Sequence, residues 1–167
     1  MESTVQIGER VKIGGTVMIE GKAAARAIVG FTCGSFDLLH AGHMLMLAEA
    51  KGWCDHLIVG LQSDPTIDRP GKNKPVMSLE ERRVLLEGNV YVDEIVLYDT
   101  EADLVNLLCD ISPDVRIVGA DWKGRPFTGH DLDIEVKFNT RSHSYSSSEL
   151  RARVYEAERR SRRERQE

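Results

Sequence analysis

The sequence is poor in cysteine, proline and aromatic residues, and each shortage excludes a class of protein. Its 167 residues include only 3 cysteines and 5 prolines, with 6% aromatic residues. Cys33, Cys54 and Cys109 are widely spaced in apolar surroundings, which indicates neither a disulfide framework nor a zinc site but reduced, buried thiols. The low proline content and a hydrophobic share of 41% are typical of a folded globular chain.

Long apolar runs and an excess of positive charge are also missing. No stretch approaches the ~20 apolar residues that a membrane span requires, and the first residues, MESTVQIGER, lack the regions of a signal peptide. The net charge of -5 argues against general nucleic-acid binding. We therefore expect a cytoplasmic protein of one domain, with neither a membrane nor a nucleic acid as partner.

From residue 27 onward, short apolar segments alternate with segments of helical spacing, as in parallel βαβ architectures. This alternation predicts an α/β fold: a Rossmann-like, doubly wound parallel sheet of about five strands with helices on both faces. The predicted strands are Ala27–Cys33, His56–Gln62, Val92–Leu97, Val115–Gly119 and Ile134–Phe138. The predicted helices are Gly42–Lys51, Leu79–Gly88, Glu101–Cys109 and one that begins near Ser146.

The two ends fall outside this pattern. Residues 1–26 contain short β-like runs separated by glycines and predict a small β-like extension. Residues 153–167 are rich in arginine with interleaved glutamates. That mixture favours a solvated, charged helix end or tail over a surface for an acidic partner.

The stretch GSFDLLHAGH, residues 34–43, follows the first predicted strand, where doubly wound sheets bind their ligands. We expect Gly34 to supply an unusual backbone geometry and Gly42 to leave room for a phosphate at a helix start. His40 and His43, three residues apart, fall on one side of the first helical turn, so both can donate an N–H to one anion. A helix cap is the simpler role for one histidine, but two behind a glycine turn favour an anion site.

This stretch resembles the motif Gly-x-Phe-Asp-x-x-His-x-Gly-His of the cytidylyltransferase-like nucleotidyltransferases. The resemblance implies that His40 and His43 stabilise the phosphates during transfer. It also implies that the remaining motif positions border the nucleotide, namely Gly34, Ser35, Phe36, Asp37 and Gly42.

Basic residues further along extend the resemblance. Lys72 and Lys74 in the loop RPGKNKPVM, followed by Arg82 in SLEERR, look like a loop and helix of the glycerol-3-phosphate cytidylyltransferases. By this resemblance Lys74 is catalytic, and Lys72 and Arg82 bind the triphosphate. The alternative for such a loop is a solvated surface.

Two later segments complete the pattern, so that the predicted nucleotidyltransferase domain covers residues 27–152. Asp121 and Trp122 resemble a Gly-x-Asp-Trp-x-Gly segment that borders the nucleotide, although a packed core position suits Trp122 equally. The run from Arg141 resembles Arg-Thr-x-Gly-Ile-Ser-Thr-Thr, with Ser144 in place of its glycine. In that run Arg141 is implied to be catalytic, and nucleotide contacts are implied for Ser146, Ser147 and Ser148, which are also good helix caps.

The resemblance implies in-line attack by an acceptor's phosphate oxygen on the α-phosphorus of CTP, with release of pyrophosphate. Glycerol 3-phosphate is the first acceptor to expect, together with Mg²⁺ bound mainly through the nucleotide phosphates and a homodimeric assembly. Asp37 is the first candidate for a protein ligand of the metal. The alternatives are adenylyl transfer from ATP to a sugar phosphate, FMN or pantetheine phosphate, and a non-catalytic nucleotide sensor or assembly protein.

Overall fold

A computed structural model describes residues 26–166, in which strands and helices alternate. The predicted extension over residues 1–26 therefore lies almost wholly outside the described residues. The strands are β1 (Val29–Gly34), β2 (His56–Gln62), β3 (Glu94–Tyr98), β4 (Val115–Val118) and β5 (Glu135–Phe138). The helices are α1 (Ala41–Lys51), α2 (Leu79–Glu87), α3 (Glu101–Ile111) and α4 (Ser147–Glu164), with a single 3-10 turn at Ala120–Trp122.

All five strands are parallel, in the order β3-β2-β1-β4-β5. The chain moves outward from β1 to β3 and then crosses back to build β4 and β5 on the other side. The carboxyl ends of β1 and β4 therefore flank the topological switch point, where such sheets leave a crevice. The predicted doubly wound parallel sheet of five strands is confirmed.

Two apolar clusters cover the two faces of this sheet. On β2, Leu57 and Val59 belong to the cluster that includes Leu47 of α1, whereas Ile58 belongs to the cluster that includes Leu104 of α3. This alternation is the two-residue period of a strand buried on both faces. It explains why the apolar runs are nearly continuous and confirms helices on both sides.

Most elements begin or end one or two residues away from the predicted positions. β3 begins at Glu94 rather than Val92, because the Val92 N–H bonds the Asn89 carbonyl in a turn at 3.1 Å. Helix α4 continues past residue 152 to Glu164, so the predicted boundary there coincides with no end of an element.

The three cysteines are free thiols, and only part of the prediction for them holds. Cys33 and Cys54 are half-buried, whereas Cys109 is exposed on α3. Across residues 26–166, no helix combines the length and apolar character needed to cross a membrane.

Candidate active site

Two cavities open at the carboxyl edge of the sheet in the part of the chain that the structure describes. The large cavity, about 810 Å³, includes Cys33, Ser35, Lys72, Arg116, Trp122 and His130 in its lining. The small cavity, about 280 Å³, is lined by the start of α1 and the segment that leads to α4, including His40, His43, Asp121, Arg141, His143 and Ser146. Both cavities share Met46, Gly119, Asn139 and Ser147, so they adjoin.

His40 and His43 form a stacked pair at the start of α1. The Gly42 N–H donates to Nδ1 of His40 at 3.0 Å, and the His40 N–H donates to Nδ1 of His43 at 3.3 Å. The ring centroids are 4.0 Å apart. A ring nitrogen that accepts a hydrogen bond carries no proton, so each neutral imidazole holds its proton on Nε2. The same two hydrogen bonds therefore cap the helix and leave an Nε2–H donor free on each ring.

The surroundings of both rings favour their neutral forms. Burial, with a further contribution from His40, lowers the pKa of His43 to about 4. Burial also lowers the pKa of His40, and the positive charges of His143 and Arg141 act in the same direction. At neutral pH the pair therefore presents N–H donors rather than imidazolium cations.

Gly42 is required by the rings around it. A Cβ at this position would lie 2.9 Å from Cε1 of both His40 and His143. Glycine thus lets two imidazoles approach the helix start. His143, whose ring centroid lies 5.1 Å from that of Tyr145, brings a third imidazole to the small cavity.

Two expectations for the turn before α1 need correction. Left-handed backbone occurs at Phe36, with φ of 47°, and at Leu38, with φ of 49°, but not at Gly34. The Phe36 ring is only 3% exposed and lies 5.5 Å, centroid to centroid, from the His43 ring. Its side chain therefore supports His43 from within the core and does not line a cavity.

Asp37 ties three parts of the site together. Its carboxylate accepts from the N–H groups of Val76 at 3.0 Å and Met77 at 2.9 Å, and it pairs with Arg151. Burial alone would raise its pKa, but these hydrogen bonds and the guanidinium hold the pKa of Asp37 below its usual value. With its oxygens occupied in this way, Asp37 is a structural anchor rather than the metal ligand that the sequence suggested.

Arg82 departs most from its predicted role. Its side chain is 2% exposed, and its guanidinium donates to five backbone carbonyls rather than facing a cavity. Among these, the carbonyls of Ser35, Gln62 and Ser63, at the ends of β1 and β2, lie 2.7, 2.7 and 2.5 Å from it. Arg82 therefore holds the rim of the site and has no free donor arrangement for a triphosphate.

The two loop lysines are placed differently. Nζ of Lys72 lies 5.9 Å from the centroid of the Trp122 ring, and both residues line the large cavity. Lys74 is 79% exposed, with Nζ 3.7 Å from the Asp64 carboxylate, and lies outside the lining of both cavities. Trp122 belongs to neither apolar cluster, so it is a cavity wall rather than a core residue.

Glu49 of α1 fixes the segment that leads to Arg141. Its carboxylate accepts from the Thr140 N–H at 2.9 Å and from the Thr140 hydroxyl at 2.7 Å. Arg141, the next residue, lines the small cavity, as does Asp121. The structure thus brings Arg141 and Asp121 close to the histidine pair, as the motif order implies.

The three serines before and within α4 have distinct positions. Ser146 caps the helix by accepting from the Glu149 N–H at 3.2 Å. The Ser147 hydroxyl donates to the Asp37 carbonyl at 3.0 Å, and Ser147 lines both cavities. Ser148 lines the large cavity. Together they place the N-terminus of α4 at the junction of the two cavities.

Two residues at this junction escaped the sequence analysis. Asn139 is 6% exposed, and its amide nitrogen donates to Glu49 at 3.1 Å while Oδ1 has no partner among residues 26–166. Arg151 pairs with Asp37 and donates to the Lys74 carbonyl at 3.2 Å. Only their positions in the sequence could have indicated them. Asn139 directly follows β5, and Arg151 lies one helical turn after Ser148.

Comparison with known proteins identifies the family to which the chain is similar. A family model described as cytidylyltransferase-like matches residues 31–153. The bifunctional protein HldE of Campylobacter concisus is 44% identical over 110 residues, which are 65% of this chain and 23% of that protein. The bifunctional protein HldE of Wolinella succinogenes is 44% identical over 117 residues, which are 70% of this chain and 24% of that protein. The chain thus spans about a quarter of the length of these curated relatives.

A solved structure has a similar fold. The lipopolysaccharide core biosynthesis protein of Thermoplasma volcanium GSS1 superposes with a TM-score of 0.60 at 24% sequence identity. The match covers 70% of this chain and 99% of that one. At this level of identity the likeness supports the fold alone.

Proposed function

Because the chain belongs to the cytidylyltransferase-like family of nucleotidyltransferases, we propose that it transfers a nucleoside monophosphate from a nucleoside triphosphate to a phosphorylated small molecule. An oxygen of the acceptor's phosphate forms a bond to the α-phosphorus, the bond from that phosphorus to the β-phosphate bridge breaks, and pyrophosphate leaves. The observation that carries this proposal is the stacked, neutral pair of His40 and His43, which offers two Nε2–H donors at the start of a helix.

Charge stabilisation and positioning supply the catalysis in this proposal. Fixed N–H donors in a partly dry site stabilise the charge that develops on phosphate oxygens, and they need no rearrangement during the reaction. The acceptor needs no strong general base, because a phosphate monoester with a second pKa of about 6 is mostly dianionic at neutral pH. Arg141 and the N-terminus of α4 supply further positive potential for the triphosphate.

The large cavity in this proposal holds the acceptor together with the part of the nucleotide that Lys72 and Trp122 border. A volume of about 810 Å³ lies in the range of cavities that hold whole metabolites. It has room for a sugar phosphate as well as for glycerol 3-phosphate, so both acceptors are tested.

The resemblance of Asp121, Trp122 and Arg141 to the glycerol-phosphate enzymes supports CTP as the nucleotide. A different observation supports ATP as a second candidate. The relatives are HldE proteins, and similarity to them suggests adenylyl transfer to a sugar phosphate rather than cytidylyl transfer to glycerol 3-phosphate. Adenylyl transfer to a sugar phosphate is therefore the second function to test. The homodimer stays a prediction.

We propose that Mg²⁺ is bound mainly through the nucleotide phosphates. Within residues 26–166 no group of three or more metal-ligating side chains occurs, and the Asp37 carboxylate is occupied by its own partners. Mg²⁺ in nucleotide sites commonly takes few protein ligands and relies on phosphate oxygens and water. When bound, it would neutralise charge on the triphosphate.

The test is pyrophosphate release in the presence of Mg²⁺, with CTP, ATP, GTP and UTP each paired with glycerol 3-phosphate, glucose 1-phosphate and mannose 1-phosphate. Release with CTP or ATP that requires an acceptor supports transfer and identifies the nucleotide. Nucleotide binding without release for every pair would contradict the proposal and favour a sensor.

A further inference from the structure

Arg116 is a buried cation at the wall of the large cavity. It lies on β4, pairs across the sheet with Phe31 of β1, and is only 3% exposed. Its Nη2 is 4.0 Å from Sγ of Cys33, and its Cζ is 5.3 Å from the centroid of the Phe127 ring. The strand thus directs a charged side chain into the cavity on the α3 side of the sheet.

The charge of Arg116 has no counterion in the described structure. Between residues 26 and 166, no carboxylate lies within 4.0 Å of its guanidinium, and Nη1 has no hydrogen-bond partner. Two other arginines of the same cavity are paired, Arg69 with Glu101 at 3.0 Å and Arg151 with Asp37. Since a guanidinium stays protonated, a buried one without an anion is costly and calls for a partner.

The segment of residues 127–129 leaves room for the Arg116 guanidinium and holds it in place. Gly129 has a φ of +72°, and a Cβ there would lie 2.8 Å from Nη1 of Arg116. The neighbouring Thr128 hydroxyl bonds the Glu101 carboxylate, which holds this segment on α3. The Phe127 ring of the same segment lies against the guanidinium. A buried cation in a fixed position, with one guanidinium nitrogen unbonded, is suited to pairing with an anion.

We propose that Arg116 binds a second anionic group, a carboxylate or a phosphate, carried by the acceptor in addition to the phosphate that is transferred. This inference rests on the proposed function and specifies its acceptor class. The guanidinium lies level with Cys33, two residues before Ser35 on the strand direction of β1. It lines the large cavity, which adjoins the small cavity of the histidine pair through Met46, Gly119, Asn139 and Ser147. A uronic acid 1-phosphate or a hexose bisphosphate carries a second anionic group on the same sugar as the phosphate that is transferred.

The experiment measures binding by calorimetry, without nucleotide, so that it does not depend on turnover. The probes are glucose 1-phosphate, glucuronate 1-phosphate and glucose 1,6-bisphosphate, with mannose 1-phosphate and mannose 1,6-bisphosphate as a second sugar series. Within a series the probes differ only at the sixth carbon. The proteins are the wild type, Arg116→Met, Arg116→Lys, and Arg125→Gln, which removes one exposed positive charge from the same region.

We expect a two-anion probe to bind the wild type and Arg125→Gln about 10- to 100-fold more tightly than its single-anion counterpart. The ratio should fall to about 1 in Arg116→Met and be partly kept in Arg116→Lys. Preference for glucuronate 1-phosphate over the bisphosphate assigns a carboxylate, and the reverse assigns a phosphate. Equal binding of all probes, no binding of any two-anion probe, or a preference that survives Arg116→Met would overturn the inference.

Thermal unfolding gives a second, independent readout. If Arg116 serves to bind an anion of the ligand, Arg116→Met should unfold at the same temperature as the wild type or at a higher one, both measured without ligand. The reason is that the substitution removes an unpaired buried charge. A clear fall in that temperature, with no change in probe binding, would assign Arg116 a structural role instead. Failure of pyrophosphate release with every nucleotide would contradict the proposed function while leaving these binding results interpretable.

Discussion

The backbone N–H of His40 donates to Nδ1 of His43, and the two rings stack with their centroids 4.0 Å apart. Each residue therefore fixes the other's proton on the nitrogen that remains available to a ligand. One local interaction sets the helix start, the tautomer and the neutral charge state together.

The stability of the protein should fall as the pH decreases from about 6.5 to about 4. The pKa of His43 is about 4 in the folded protein against an ordinary value of 6.5, so the unfolded chain binds more protons in this window. Protonation therefore favours unfolding, by on the order of 3 kcal/mol once the pH is below 4. Urea unfolding between pH 4 and 8 measures this loss. In His43→Asn the slope over this window should be markedly smaller, and an unchanged slope would contradict the assignment.

Arg82→Met should destabilise the fold, because Arg82 has a structural role and does not bind the triphosphate. The substitution leaves five carbonyls at the rim of the site without their donor, and unsatisfied buried groups cost about 1–3 kcal/mol each before relaxation. We expect a loss of about 3 kcal/mol or more in the free energy of unfolding, measured by urea titration.

The matched control for Arg82 is its neighbour Arg83, whose side chain is 40% exposed and pairs with Glu80 and Glu87 on the surface of α2. Arg83→Met should change the free energy of unfolding by about 0.5 kcal/mol or less. Equal stability of the two variants, with weaker triphosphate binding in Arg82→Met alone, would restore the role in triphosphate binding that the sequence suggested.

Gly42→Ala should disrupt the histidine pair through a steric clash. The added methyl group would approach both His40 and His143 to 2.9 Å, so at least one ring must move. We expect pyrophosphate release to fall by 10-fold or more, with folding retained. The double variant Gly42→Ala/His143→Ala tests the cause, since removing one of the two rings should recover part of the activity. No recovery would indicate that the clash with His40 alone is decisive.

The fold was accessible from the sequence because its signals are local. Strands buried on both faces give apolar runs such as His56–Gln62, and capped helices such as Leu79–Glu87 show their starts through serine and glutamate. The alternation of strands and helices along the chain then predicts a parallel sheet. The ends that were missed, such as the start of β3, depend on a single turn hydrogen bond that no residue pattern reports.

The site was only partly accessible, for a physical reason. A motif identifies which residue types occur, but it does not tell whether a cation such as Arg82 faces a phosphate or a set of carbonyls. Nor does it reveal that Arg151 reaches Asp37 across 114 positions of sequence, or that Arg116 lacks a counterion. These properties arise from tertiary packing, as does the left-handed backbone at Phe36, which carries no glycine signal.

Pyrophosphate release by the wild type, His43→Ala and His56→Ala, compared under saturating nucleotide and acceptor, tests directly whether the histidine pair acts in transfer. His56 is the matched control, because it pairs with Glu94 at the opposite end of β2, at 3.2 Å, away from both cavities. We expect a loss of about 10²- to 10³-fold in His43→Ala, the typical cost of removing one fixed donor to a developing charge, and activity near that of the wild type in His56→Ala. Equal rates in all three proteins would contradict the role of the histidine pair in transfer.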